Sequence, residues 1–350
     1  MATLTQVASS TRKILTISIL LLIGFAVVLF LFNVAINVKN SLYPTPPTPP
    51  TVTYGKLPAI LFPQSINVQK LSYTLNTLTG NLPSLPDRVA VNQIAQPQAT
   101  LLDLQNTQNL VTQIGYVLSS QRQLNETLYQ WTNTDDLPKT ITMDTTTKDF
   151  TINSSYPTDL NVANAYNLPG KSGAITVSQT FLENFLGNLP SDIDNSKTTA
   201  SFFTINNSGL VPATSFSGTK IVRVDFFQKN MNSLPIFYPY AGESLMNILI
   251  GGGSSLAQIV NAQFVHKTIL SDNATYPIKT SQVAYQDLQN GNAYIASLDF
   301  GVTSVTIRNV LLGYYIGDFN EQYLMPIIVF EGDNNFVAYV SAITDGWISK

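Results

Sequence analysis

Residues 304–315 read SVTIRNVLLGYY, residues 325–331 read MPIIVFE and residues 336–342 read FVAYVSA, and these three runs decide the fold. Each run is rich in β-branched and aromatic residues, which favour the pleated, half-buried surface of a sheet. Turn residues separate the runs from one another. The pattern therefore predicts three consecutive strands at the C-terminal end of the chain.

Two details of these runs fit strands. Tyr314 and Tyr315 are neighbours, so in a strand one ring packs against a helix while the other covers the open side of the sheet. Pro326 suits the first position of its strand, because proline cannot donate to a ladder of hydrogen bonds.

Working upstream, apolar periodicity predicts helices that are each followed by several strands. Residues 100–117 have the spacing of an amphipathic helix, a second helix is expected over 181–186 after Gly173, and a third over 283–288 ends at Gly291. Strands are predicted at 68–75, 88–94, 124–132, 140–144, 149–152, 201–205, 221–227 and 293–299. The predicted class is α+β, with helices packed on antiparallel sheets in two or three helix-plus-sheet units.

The N-terminal region contains 25 residues without a charge, between Lys13 and Lys39. A helix of this length reaches ~37 Å, enough to cross a hydrocarbon core of ~30 Å. A signal peptide would have a shorter apolar core and a small-residue cleavage site, and none follows here. Arg12 and Lys13 outweigh Lys39, so the positive-inside rule predicts a cytoplasmic N-terminus.

A Pro-rich run, PTPPTPP at residues 44–50, follows and favours an extended polyproline II spacer. The expected segments are a cytoplasmic N-terminus (1–13), a transmembrane helix (14–38), a Pro/Thr-rich spacer (39–56), an extracytoplasmic α+β domain (57–168) and a second such domain (169–350). The expected location is the cell membrane, crossed once, with the C-terminal part outside the cytoplasm.

Composition restricts the function. Charged residues make up 11% of the chain, against about 25% in ordinary soluble domains. The net charge is −3 and no basic run follows residue 39, so nucleic acid is not expected as a partner. The chain has no cysteine and one histidine, which excludes a metal site built from these residues. No cofactor is expected, and the absence of disulfides fits a prokaryotic envelope.

The C-terminal strands also carry a family resemblance. Residues 310–315, 323–330 and 336–342 are similar to the last strands of the YycH/YycI family. The resemblance implies a bacterial protein with one N-terminal transmembrane helix and an extracytoplasmic α+β domain of tandem PepSY-like units. It further implies a protein that restrains a two-component sensor histidine kinase through contacts in and near the membrane. The resemblance rests on strand packing and covers the C-terminal part and the overall layout.

Candidate catalytic motifs each have a simpler structural interpretation. His266 lies in an alternating run over 263–270 that predicts a strand, where a structural or solvent-facing histidine is favoured over a catalytic base. Ser217 and Lys220 have the spacing of a serine–lysine acyl-transfer site, but they lead into a strand instead of starting a helix. The Gly-rich run at 250–255 lacks a phosphate-binding lysine, which favours a loop with Ser254 or Ser255 capping helix-like residues 256–260.

Binding candidates remain. Two acidic segments, 192–196 and 318–321, offer oxygens to Ca²⁺ but follow no twelve-residue calcium loop, so solvated loops are the default. Phe237, Tyr238 and Tyr240 are candidates for an exposed aromatic patch that contacts a partner or a glycan, with core packing as the alternative.

The leading functional hypothesis is a membrane-anchored, extracytoplasmic and non-enzymatic binding or regulatory module with a protein partner in the membrane or envelope. The alternative is a structural or surface component of the cell envelope, favoured by the low charge and the Asn/Thr-rich surface. A hydrolase that uses Ser217 or scattered carboxylates is the third hypothesis.

Overall fold

The computed structural model describes residues 21–35, 49–64, 70–164, 166–206, 209–253 and 256–349. The chain divides into two compact units, Met1–Pro49 and Pro50–Lys350.

In the first unit, residues 21–35 form a helix, α1, with exposed side chains. Asn33 donates from its side chain to the backbone oxygen of Leu29 at 2.9 Å. Among the described residues, no helix combines the length and the apolar character needed to span a membrane. The other parts of the predicted transmembrane segment, 14–20 and 36–38, lie outside the described residues, as do residues 1–13 and 39–48.

The second unit has four α-helices and seventeen strands among its described residues. The helices are α2 (Asp103–Gln113), α3 (Leu160–Ala163), α4 (Lys171–Leu186) and α5 (Ser281–Gln289). The strands are β1 (Ser72–Leu75), β2 (Arg88–Ile94), β3 (Arg122–Gln123), β4 (Leu128–Thr132), β5 (Lys139–Asp144), β6 (Phe150–Ser154), β7 (Thr199–Asn206), β8 (Gly209–Pro212), β9 (Ile221–Phe226), β10 (Ile236–Phe237), β11 (Met246–Gly251), β12 (Gln258–Phe264), β13 (Ile269–Pro277), β14 (Tyr294–Ser297), β15 (Ser304–Tyr315), β16 (Tyr323–Gly332) and β17 (Phe336–Ser341).

Nine strands form an antiparallel sheet in the order β3-β4-β5-β6-β12-β11-β9-β7-β8. Helices α2 and α4 cover one face, and their apolar side chains share a core with alternate residues of the strands. Phe185 of α4 contacts Phe150 of β6 edge to face, with ring centroids 4.9 Å apart. Helix α4 ends at Gly187, whose φ of 87° would strain any residue with a side chain.

Eight strands form a second, mixed sheet around the path β1-β15-β16-β17-β14. The short strands β1 and β10 pair in parallel with β15, and β2 pairs with both β13 and β16. Helix α5 packs against β17. The side chain of Thr280 starts this helix by accepting the backbone N–H of Val283 at 3.3 Å.

Tyr314 and Tyr315 confirm the prediction that neighbouring rings lie on opposite faces of their sheet. Tyr314 belongs to the large core of the eight-stranded sheet, whereas Tyr315 lies in a separate aromatic cluster with Tyr294 and Tyr339. Both rings are fully buried. Strand β15 therefore contributes a buried ring to the core on each face of the sheet.

Pro326 is the fourth residue of β16, so its predicted place at the start of the strand is wrong. It is paired with Tyr314, but the N–H of Tyr314 donates to the oxygen of Pro235 at 2.9 Å. The pairing between β15 and β16 at this point therefore needs no N–H from proline.

The predicted α+β class is wrong, because the second unit is mostly β and is built on two large sheets. The helices do not head separate helix-plus-sheet units. Both sheets take strands from both sides of residue 168, as where β6 pairs with β12 through Phe150 and Phe264. Periodicity identifies a local element, but the pairing of strands more than 100 residues apart depends on contacts that periodicity does not encode.

Two local predictions are also wrong. The helix-like residues 256–260 run into strand β12, and the predicted strand over 263–270 is broken, since β12 ends at Phe264 and β13 begins at Ile269. His266 therefore lies in the link between the two sheets. Ser254 and Ser255 lie outside the described residues.

Gly313 provides a test of how β10 sits on β15. A Cβ at this position would lie 2.5 Å from Cε2 of Phe237 and 3.0 Å from the oxygen of Pro235. We expect Gly313→Ala to lower the free energy of unfolding by about 1–3 kcal/mol in urea titrations, because overpacking displaces β10. Gly346→Ala is the matched control, since nothing lies within 4 Å of its Cβ. Equal effects of the two substitutions would contradict this packing.

Candidate functional site

A cleft of about 560 Å³ opens where the two sheets meet, and we call it the His266 cleft. Four segments form its walls. They are the end of β2 with the residues that follow it (94–97 and 99), Thr127 with the β5–β6 turn, residues 266–268 between β12 and β13, and Asp318 and Asn320 of the β15–β16 connection. Connections between strands are where scaffolds carry binding groups. Its volume lies within the range of about 300–1,000 Å³ found for ligand sites.

The imidazole of His266 is held by Asp192, with Nε2 2.8 Å from Oδ1. The other carboxylate oxygen of Asp192 accepts from Nε2 of Gln228 at 2.7 Å, and the same amide nitrogen donates to the backbone oxygen of Lys267 at 3.0 Å. Burial opposes ionisation of Asp192, but hydrogen bonds and the charge of His266 outweigh it and lower the pKa of this carboxyl. The carboxylate and the imidazole therefore form a fixed pair.

Asp149, which directly precedes β6, also contacts the link between β12 and β13. Its Oδ1 accepts the backbone N–H of His266 at 3.0 Å, and its Oδ2 lies 3.5 Å from Nζ of Lys267. Burial raises the pKa of Asp149, and Lys267 and the N–H of His266 only partly offset this. The side chains of Asp149 and Lys267 are mostly buried, so their contact is not a surface ion pair.

The β5–β6 turn forms a polar wall of the cleft. Asp144 accepts the backbone N–H groups of Thr146 and Thr147 at 2.8 and 2.9 Å, and the hydroxyl of Thr127 at 2.6 Å. Asp144 is therefore occupied by its own turn. The hydroxyl of Thr146 is buried beside the cleft and has no hydrogen-bond partner within the described residues.

Glu321 forms a hydrogen bond within the β15–β16 connection, to the backbone of Gly317. Both carboxyl oxygens lie 3.1 Å from the backbone N of Gly317, which donates to them. Burial raises the pKa of Glu321 to about 7, and the N–H of Gly317 and the charge of Lys267 only partly oppose it. A Cβ on Gly317 would lie 2.8 Å from Oε1 of Glu321, so this turn is built around the carboxyl group.

A second cleft of about 290 Å³ lies on the face of the nine-stranded sheet that α2 and α4 leave open, and we call it the Asn261 cleft. Its floor includes Asn247, Asn261 and Gln263. The rim includes the aromatic rings of Tyr240 and Phe319. Asp318 lines both clefts, so the β15–β16 connection separates them.

The three candidate contact residues occupy different environments. Phe237 is half-buried and packs on Tyr339, with ring centroids 5.7 Å apart. Tyr238 is 3% exposed, and its hydroxyl accepts the backbone N–H of Gln228 at 3.2 Å. Tyr240 is 48% exposed at the rim of the Asn261 cleft. Core packing therefore describes Tyr238, whereas Tyr240 faces outward, and their role in partner contact stays a prediction.

The serine–lysine motif takes no part in either cleft. Ser217 lies in a short exposed turn, and its Oγ is 3.1 Å from Oγ of Ser215. Ser217 and Lys220 line neither the His266 cleft nor the Asn261 cleft. The turn interpretation of this motif fits its placement.

The two aspartates of the acidic segment 192–196 have different hydrogen-bond partners. Asp194 accepts from the hydroxyl and backbone N–H of Ser196, which is the bonding of a solvated turn, whereas Asp192 faces His266. In the part of the chain that the structure describes, no group of three or more His, Cys, Asp or Glu residues is placed to hold a metal ion.

Comparison with known proteins adds little. No protein-family model matches the sequence, and no curated protein matches it. One solved structure similar to this chain is that of an uncharacterized protein from Eubacterium rectale ATCC 33656, with 11% sequence identity and a TM-score of 0.41 over 81% of this chain and 92% of that chain. The resemblance to YycH/YycI stays a prediction.

Sequence reasoning singled out His266, and it named Asp192 only within the candidate calcium segment 192–196. It missed Asp149 and Gln228, and it connected none of these three residues with His266. Asp149, Asp192 and Gln228 lie 117, 74 and 38 positions away, and no local motif joins them. The one available signal was the scarcity of charge. Charged residues make up 11% of the chain, so each carboxylate is a candidate for a specific role, and two of them, Asp149 and Asp192, contact the His266 link.

Glu321 makes stability depend on pH. Its pKa in the folded protein is about 7, against 4.5 for an unperturbed glutamate. The folded state therefore holds a proton that the unfolded state releases, and stability falls as pH rises from 4.5 to 7. This contribution is on the order of 3 kcal/mol. We expect Glu321→Gln to remove this pH dependence, because glutamine does not ionise. The free energy of unfolding in urea at pH 5 and at pH 8 would measure the difference.

The control for this experiment is Glu331→Gln, the same substitution ten residues further along the chain, in β16, where the carboxyl accepts from Asn309 at 2.9 Å. The control should keep the pH dependence of the unaltered protein. An unchanged difference between pH 5 and pH 8 in Glu321→Gln would refute the assignment.

Proposed function

We propose that the protein is a non-enzymatic binding and regulatory module whose binding site is the His266 cleft. The observation that carries the proposal is the cleft itself, which is formed by both sheets and lined with polar groups already fixed by Asp149 and Asp192. A preformed polar site loses little conformational entropy when a ligand binds.

The chemistry of the cleft supports binding over catalysis. Within the described residues, the imidazole of His266 forms one hydrogen bond, to Asp192. A histidine that acts as general base needs a nucleophile within about 2.6–3.2 Å. Of the residues that the structure describes, no serine lines the cleft, and the hydroxyl of Thr127 donates to Asp144.

The partner is proposed to be a protein with basic side chains at its contact surface. Asp318 lines the cleft and forms no hydrogen bond or ion pair with other described residues, so its carboxylate is available. Carboxylates in a partly enclosed site attract lysine and arginine. The YycH/YycI resemblance makes a membrane-bound sensor histidine kinase the first partner to test, and location outside the cytoplasm stays a prediction.

Site-specific photo-crosslinking in intact cells tests this proposal. A photoreactive residue at the exposed Thr147, on the wall of the cleft, should capture a discrete membrane protein that mass spectrometry identifies. The same residue at Thr176, exposed on α4, is the matched control and should not capture it. Equal capture from both positions, or none from Thr147, would contradict the proposal.

A second arm links capture to the cleft chemistry. Asp318→Asn removes the available carboxylate while keeping the size of the side chain. We expect about tenfold weaker capture, since a hydrogen bond to a charged group contributes roughly 1.5–3 kcal/mol. Circular dichroism would check that the variant is folded. If the protein proved as abundant as the major envelope proteins and formed ordered arrays, a structural component would be favoured instead.

A further inference from the structure

The floor of the Asn261 cleft offers side chains and no free backbone. Strands β9, β11 and β12 are interior strands of the nine-stranded sheet, so each has a neighbouring strand on both sides. A peptide cannot bind here by adding a strand, because strand addition needs an unpaired edge. Any ligand must therefore be recognised by the side chains of the floor and rim.

Three amides on this floor keep hydrogen-bonding capacity for a ligand. Asn247 donates its Nδ2 to the oxygen of Ser244 at 2.7 Å, and Asn261 donates its Nδ2 to Oδ1 of Asn153 at 3.1 Å. Each is fixed in orientation, and its own carbonyl oxygen is left as an acceptor. The side chain of Gln263 forms no hydrogen bond with the described residues, so it offers both donors and an acceptor.

The charges of the cleft do not favour an anion. Arg223 donates to Asp225 through Nε and Nη2 at 2.9–3.1 Å, and its Nη1 lies 2.8 Å from Oε2 of Glu243. Two carboxylates therefore neutralise the guanidinium, and Asp318 adds a further negative charge. Phosphate groups and acidic sugars would be repelled, whereas neutral hydroxyl groups would not.

The rim supplies aromatic surface. Tyr240 is 48% exposed and Phe319 is 42% exposed, and both line the cleft. Two exposed rings beside oriented polar groups are typical of a binding site, because a ligand that covers the rings removes apolar surface from water. A pyranose matches this combination, because one of its faces carries C–H groups that pack on a ring while its hydroxyl groups meet amides at the edge.

From this geometry we infer that the Asn261 cleft binds a neutral saccharide, with Tyr240 and Phe319 against the sugar face and Asn247, Asn261 and Gln263 on its hydroxyl groups. A volume of about 290 Å³ lies at the lower limit of ligand sites, which suits one or two sugar rings. This site is separate from the His266 cleft and does not depend on the function proposed for it.

Saturation-transfer NMR on the full chain tests the inference, with the methyl glycosides of glucose, galactose, mannose and N-acetylglucosamine as probes. We expect transfer to the C–H protons of at least one glycoside. Tyr240→Ala should weaken its binding about fivefold, as loss of one aromatic contact predicts. Tyr166→Ala is the matched control, since Tyr166 is 92% exposed and lines neither cleft.

Asn261→Ala provides a second, independent variant, because it removes an amide without touching the rim. It should also weaken binding, while the melting temperatures of both variants stay close to that of the unaltered protein. Absence of transfer from all four glycosides would overturn the inference, and so would binding that neither variant weakens. For the glycoside that binds, envelope polysaccharide fragments and an N-linked glycopeptide compared as competitors would identify the natural source.

Discussion

The contact between the backbone of His266 and the carboxylate of Asp149 is the interaction on which the arrangement of the second unit depends. It lies in the short link where the chain passes from β12 of the nine-stranded sheet to β13 of the eight-stranded sheet. Asp192 and Gln228 hold the same link from the side, and the N–H of Ala95 donates to the oxygen of Thr268 at 2.8 Å. The chain has no disulfide to do this work, so buried polar contacts fix how the sheets meet.

The β15–β16 connection couples the two clefts through the same region. Nε2 of Gln96 donates to the oxygen of Glu321 at 2.9 Å, which ties the connection to the wall of the His266 cleft. Phe319, two residues earlier, forms part of the rim of the Asn261 cleft. Because the carboxyl of Glu321 holds this connection together, a rearrangement there would change both clefts at once.

The elements of this fold could be predicted from sequence better than their assembly. Strand β15 was predicted with its observed bounds, and the alternate faces of Tyr314 and Tyr315 follow from the period of a strand. His266 shows where such reasoning stops. Its neighbours alternate in polarity as a strand would, yet they form a link, because hydrogen bonds to Asp149 and Asp192 compete with strand pairing. Those partners are distant in sequence, so no periodicity reveals them.

In a chain with so few charged residues, the amides of the Asn261 cleft need more than their presence on a strand to indicate a binding site. Such a protein must keep its open sheet faces soluble with Asn, Gln and Thr, so amides on a strand are expected whether or not they bind anything. Asn261 and Gln263 differ from other amides on the strands because two further parts of the chain, the segment around Tyr240 and the loop that carries Phe319, line the same cleft. An open sheet face becomes a site only where tertiary contacts bring aromatic rings beside oriented amides. That information lies in how the two sheets meet and not in the composition of either strand.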